Sequence, residues 1–115
     1  IILIAACSEG SGSRHYEQWV SEKQSRAEVV EAYHREGFRI GPHKAFQLAR
    51  DTEHARLLVF SDMSHELARR LLLDPADDFQ TTVSSALEDL AAGERIAVLP
   101  HASSTIPYLD TEAMR

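Results

Sequence analysis

Three runs in this chain have an apolar centre with no polar alternation: Ile1-Ile2-Leu3-Ile4-Ala5-Ala6-Cys7, Arg56-Leu57-Leu58-Val59-Phe60-Ser61 and Arg95-Ile96-Ala97-Val98-Leu99-Pro100. A strand with one wet face alternates, whereas a strand covered on both faces does not. Helical material separates the three runs. Strands of this kind, joined by helices, predict a parallel sheet with helices on its faces. The expected fold is a three-layer α/β domain, with a mainly parallel sheet of at least three strands and helices on both faces.

The helix signals are local. Ser25-Arg26-Ala27-Glu28 reads as a capping box, in which the serine hydroxyl takes the Glu28 amide and the glutamate reaches back. That helix is expected to run to about Glu36, with Gly37 as its stop. A further helix is expected to begin at Pro42, where a missing N–H costs nothing. Others are expected from about Ser64 to Leu72 and from roughly Asp78 to Ala92, the latter closed by Gly93. Leu73-Asp74-Pro75-Ala76-Asp77 reads as a turn. The whole chain, 1–115, reads as a single domain. Its start at Ile1, in mid-strand and without Met, reads as a piece cut from a longer protein.

Charge narrows the partners. With 12 Lys and Arg against 18 Asp and Glu the net charge is -6, which does not suit nucleic acid, because phosphates need clustered cations. No apolar run approaches the roughly 20 residues of a membrane-spanning helix. Cys7 is the only cysteine, so there is no internal disulfide and no Cys-ligated zinc site. A reducing, cytoplasmic setting is the expectation.

In parallel sheets ligands gather at the carboxyl ends of the strands. Here those ends are Ser8–Ser13, Ser61–Ser64 and His101–Thr105, all rich in Ser or Gly, and they are expected along one edge. The first resembles a phosphate-binding loop, but Gly10-x-Gly12-x-x-His15 lacks the third glycine and the acidic residue about 20 positions on. No Gly-Lys-Ser/Thr follows it. Gly10-Ser11-Gly12-Ser13 also misses the Gly-x-Ser-x-Gly spacing of a serine nucleophile. The six histidines, His15, His34, His43, His54, His65 and His101, form no metal-ligand motif. His43 and His101 stand out because both fall at element ends on the expected ligand edge. Tyr16 and Trp19 read as packing residues.

Four stretches in this order resemble one family. They are Ala6-Cys7-Ser8-Glu9-Gly10-Ser11-Gly12, Gly41-Pro42-His43-Lys44-Ala45-Phe46-Gln47-Leu48-Ala49-Arg50, Val59-Phe60-Ser61-Asp62 and Leu99-Pro100-His101-Ala102-Ser103-Ser104-Thr105-Ile106-Pro107. Together they look like the C-terminal domain of nickel-dependent lactate racemases and their 2-hydroxyacid racemase and epimerase relatives. The resemblance implies a two-domain isomerase with its active site in the interdomain cleft. There a lysine-held nickel-pincer nucleotide exchanges hydride with the α-carbon of a hydroxy acid, and two histidines handle the hydroxyl proton. It places the pincer lysine, nickel ligand and histidine pair in the N-terminal catalytic domain, outside this chain. A Gln-x-x-Lys substrate element falls upstream of Ile1.

On that resemblance this chain supplies no catalytic residue and no metal ligand, and binds no cofactor by itself. Its substrate-binding residues would be His43, Lys44, Gly10, Gly12 and Ser8. The free amides of the helix start at Pro42, with Lys44, would suit a substrate carboxylate. His43 stands where lactate racemase has an aromatic residue, which favours a relative acting on another hydroxy acid. Pro42 and Ala102 replace family glycines. The partners implied are the N-terminal domain of the same protein and a small hydroxy acid, with self-association expected of the isolated piece. The alternative is a non-catalytic α/β module that binds a small anion or a protein partner.

Overall fold

The computed structural model describes residues 1–108. Its strands are β1 (Ile2–Ile4), β2 (Leu58–Phe60) and β3 (Asp74–Pro75). Its helices are α1 (Arg14–Ser21), α2 (Arg26–Glu36), α3 (Pro42–Asp51), α4 (His65–Arg70) and α5 (Phe79–Glu88), with a 3-10 turn at Ala102–Ser104. The sheet runs β1-β2-β3 and every pairing is parallel. Ile2 lies opposite Leu58, Ile4 opposite Phe60 and Val59 opposite Pro75. The chain is thus a mixture of helices and a small parallel sheet, compatible with the expected α/β class. No helix of the described residues is long and apolar enough to cross a membrane.

Four of the five described helices begin where a side chain takes an orphan amide. Ser13 Oγ accepts from Tyr16 N–H at 3.3 Å, Ser25 Oγ from Glu28 N–H at 3.2 Å, Ser64 Oγ from Leu67 N–H at 3.2 Å and Asp78 Oδ2 from Thr81 N–H at 2.6 Å. In α2 the capping glutamate reaches one residue further than expected: Glu28 Oε2 accepts from Gln24 N–H at 2.8 Å. Gly37, at φ +79°, ends that helix as its composition predicts. α3 does without a side-chain cap and starts from Gly41 at φ +99° followed by Pro42.

The core is helical. Tyr16, Trp19 and Val20 of α1 pack with Val29 and Ala32 of α2, Ala45 and Ala49 of α3, and Met63, Ala68 and Leu71 around α4. Small residues on α3 let it approach both neighbours closely, and Tyr33 stacks on Phe46 with centroids 4.4 Å apart. The Arg26 guanidinium ties α2 to the chain after α4. It donates to Leu72 O at 3.2 and 3.0 Å and to Asp74 Oδ2 at 3.0 Å. Leu57, just before the central strand, and Val59 on it are buried, but β1 is thinly covered, with Leu3 41 % and Ile4 60 % exposed.

Three expectations need correction. The third strand is Asp74–Pro75, in the stretch that reads as a turn. Two residues suffice there because Ala76 N–H donates to Val59 O at 2.8 Å and continues the ladder. Residues 95–100 form no strand, and Ile96 and Val98 are 60 % and 82 % exposed. An apolar run signals a demand for cover, and in this arrangement nothing meets it. α5 stops at Glu88 instead of near Ala92. It buries no residue completely, and Leu87 and Leu90 stay exposed, so its last turn gains nothing by continuing.

Candidate functional site

β1 and β2 carry two of the three expected loops side by side at their carboxyl ends. Asp62 N–H donates to Ala6 O at 2.9 Å, which joins the Ser61–Ser64 segment to the end of β1. The chain then turns at Cys7, a non-glycine residue at φ +50°, and enters the Ser8–Ser13 loop, where Gly10 and Gly12 both take φ +68°. No strand leads to His101–Thr105, which lies in an exposed stretch.

The loop is closed by its own chain. Gly10 N–H donates to Cys7 O at 3.0 Å, Gly12 N–H to Glu9 O at 3.3 Å and Ser13 N–H to Ser11 Oγ at 3.1 Å. Ser11 gives both its N–H (3.1 Å) and its hydroxyl (2.9 Å) to Glu17 Oε1 from α1. A phosphate cradle presents free amides in a positive field. Here a carboxylate already fills that place, so the loop is not an empty anion cradle. A Cβ on Gly10 would lie 3.0 Å from Glu17 Oε1 and 3.3 Å from Leu67 Cδ2, whereas one on Gly12 would meet nothing within 4 Å. Gly10 is therefore committed to internal packing, while exposed Ser8 and Gly12 remain open to an approaching ligand.

α3 brings the second group of expected residues to the same part of the fold. The Gly41 Cβ position lies 3.1 Å from His15 Cβ and 3.1 Å from Tyr16 N, so the start of α3 presses on the first turn of α1. The expectation of free amides at this helix start is not met. Pro42 has no N–H, His43 N–H donates to Arg39 O at 3.1 Å and Lys44 N–H to Gly41 O at 2.9 Å. Gly41 N–H donates to His43 Nδ1 at 3.1 Å. Nδ1 also lies 3.3 Å from Arg39 O, and it accepts the shorter Gly41 bond in the tautomer that carries the proton on Nε2. What α3 offers outward is the exposed Lys44 ammonium and the half-buried His43 ring. Phe38, 5.4 Å from that ring, and Ile40 stand beside it, 71 % and 81 % exposed.

Sequence reasoning missed Glu17. A capping glutamate is expected three residues after the cap, and Glu17 lies four beyond Ser13, reaching six residues back to Ser11. Of the other histidines, His15 lies against Gly41 through its Cβ, whereas His65 Nδ1 lies 3.1 Å from Asp77 Oδ1. Among the described residues no three His, Cys, Asp or Glu side chains gather around a point that could hold a metal. A groove of about 410 Å³ opens elsewhere, between α5 and the starts of β1 and β2, with Ile1, Ile2 and Asp89 on its walls. It lies at the end of the strands opposite to the loops. No family model, no curated protein and no solved structure matches this chain.

Proposed function

We propose that this chain forms one wall of an interdomain cleft in a nickel-pincer 2-hydroxyacid racemase or epimerase, as its C-terminal domain. The observation that carries the reading is a shared location. The Ser8–Ser13 loop leads into α1, and the His43–Lys44 helix start presses on the first turn of α1, beside an uncovered apolar lip of Phe38 and Ile40. A cationic side chain next to exposed apolar surface suits a wall that a second domain faces and a small carboxylate enters.

On this reading Lys44 draws the substrate carboxylate, His43 Nε2–H donates to a substrate oxygen, and Ser8 and the open backbone at Gly12 complete the wall. Gly10 serves indirectly, by letting Glu17 close the loop. The family resemblance assigns the metal and pincer to the other domain, where they would supply the hydride chemistry. Finer features of the fold belong to the same reading: a three-layer arrangement with helices on both faces, in a cytoplasmic enzyme. The test is an assay of a longer protein carrying this chain, loaded with nickel and pincer, against a panel of chiral 2-hydroxy acids. Interconversion of stereoisomers is expected. Its absence for every acid, with nickel and pincer both bound, overturns the reading.

The exposed lip also favours a second reading, a non-catalytic module that docks on a protein through Phe38 and Ile40. The occupied Ser11 amide counts against the small-anion version of that module. A partner domain upstream that lacks a pincer lysine and paired histidines would decide for the module.

A further inference from the structure

We propose that residues 95–99 are a fourth parallel strand in waiting, which the chain adds to the open edge of β1. Two unsatisfied features of the same molecule complement each other. β1 ends the sheet order, so among the described residues one of its edges has no neighbour. Leu58 N–H donates to Ile1 O at 2.9 Å and Ala5 N–H to Phe60 O at 3.1 Å. In a parallel ladder this turns the odd-numbered backbone groups toward β2, and leaves those of Ile2 and Ile4 facing outward. The Ile96-Ala97-Val98-Leu99 run is apolar throughout, and Ile96 and Val98 are 60 % and 82 % exposed.

The path of the chain makes this segment the fitting occupant. Phe79, at the start of α5, lies 5.8 Å from Phe60 of β2, so the helix sits by the sheet. Its far end delivers Asp89 to the groove shared with Ile1 and Ile2, where β1 begins. Five residues, Leu90–Glu94, separate Asp89 from Arg95, a reach of up to about 20 Å when extended. A strand entering there runs in the direction of β1, as a helix-linked crossover requires. Addition would cover Leu3, Ile4, Ile96 and Val98. It would also carry His101–Thr105 to the carboxyl end of the sheet, beside the Ser8–Ser13 loop. The inference concerns the sheet and stands apart from any choice of enzyme or binding module.

Residue-resolved amide hydrogen exchange on the full chain tests it. The amides of residues 96–99 that face β1, and that of Ile4, should exchange at least about a hundredfold more slowly than unpaired peptide. Backbone direction alternates, so one of Ala97 and Val98 must face β1. The double variant Ala97→Pro/Val98→Pro should therefore return Ile4 to fast exchange while Leu58 and Ala5 stay protected. Wild-type amides at 96–99 exchanging at the unpaired rate overturn the proposal, whether or not the variant folds. Protection that grows with protein concentration also overturns it, since a second copy would then supply the strand.

Discussion

The carboxylate of Glu17 accepts two hydrogen bonds from one residue, the Ser11 N–H at 3.1 Å and the Ser11 hydroxyl at 2.9 Å. A loop whose composition suggests an empty anion site is thereby stapled to the helix that follows it. Glu17→Ala strands the part-buried Ser11 amide and should destabilise the chain by about 1–3 kcal/mol. Glu17→Gln keeps an acceptor oxygen and should recover most of that. Urea midpoints measure both, and an alanine variant as stable as wild type would show that the staple contributes nothing.

Gly10 and Gly12 share φ +68° but differ in surroundings. Alanine at either carries the left-handed backbone cost of about 1–2 kcal/mol. At Gly10 it also pushes the Glu17 carboxylate away from Ser11. Gly10→Ala should therefore be the less stable variant, by about 1 kcal/mol, the net worth of a hydrogen bond. Thermal melts compare them, and equal losses would refute the close approach.

Local signals were the legible part of this fold. The Ser25 cap, the Gly37 stop and the Pro42 start each depend on a few neighbouring residues, so composition alone places them. β3 was not legible because two residues leave no period to read, and Pro75 suggests a turn. The Arg95–Pro100 run was legible as a strand by character but not by partner, since hydrophobicity carries no address. In the site, the nearness of His43 to α1 depends on the Gly41 approach, and Glu17 acts across a span that no capping pattern covers.

Two carboxylates predict acid sensitivity. Glu36 is held below the usual carboxylate range, chiefly by the Trp19 N–H it accepts and then by the charges of Arg39, Lys23 and Arg35. Asp78 is lowered by its bonds from Thr81. Both bind fewer protons folded than unfolded, so their contribution is complete above the ordinary carboxylate range and is lost as pH falls through the folded values. Stability should fall between about pH 5 and 3, within the carboxylate range, and fall less steeply in Glu36→Gln. Chemical denaturation across that range measures the slopes, and identical slopes would refute the Glu36 contribution.

Tyr16 sets the opposite limit. Burial, and then the charge of Glu17, push its phenol up to about 12. Its proton is held more tightly folded than unfolded, so stability is full below the ordinary tyrosine value of about 10 and declines as pH rises toward 12. Tyr16→Phe should flatten that alkaline decline. A decline unchanged in the variant would assign it to another group.

Lys44 is exposed at the start of α3, so Lys44→Ala should leave the fold intact. In the proposed enzyme it should raise KM for the hydroxy acid by about two- to fivefold, the worth of one solvent-exposed ion pair, with kcat nearly unchanged. Steady-state kinetics decide, and a loss confined to kcat would remove Lys44 from substrate binding.

Trp19, the single tryptophan, is 7 % exposed, donates to Glu36 Oε2 at 2.8 Å and lies 4.7 Å beneath the Lys23 ammonium. An indole buried from water, with a cation over its ring and an anion at its edge, has an emission that responds when either its burial or those charges change. The molecule thus carries an intrinsic optical reporter for a single junction, where α1 meets the end of α2. A change in its colour would signal that the helices have parted, and events confined to the sheet edge would pass it unseen.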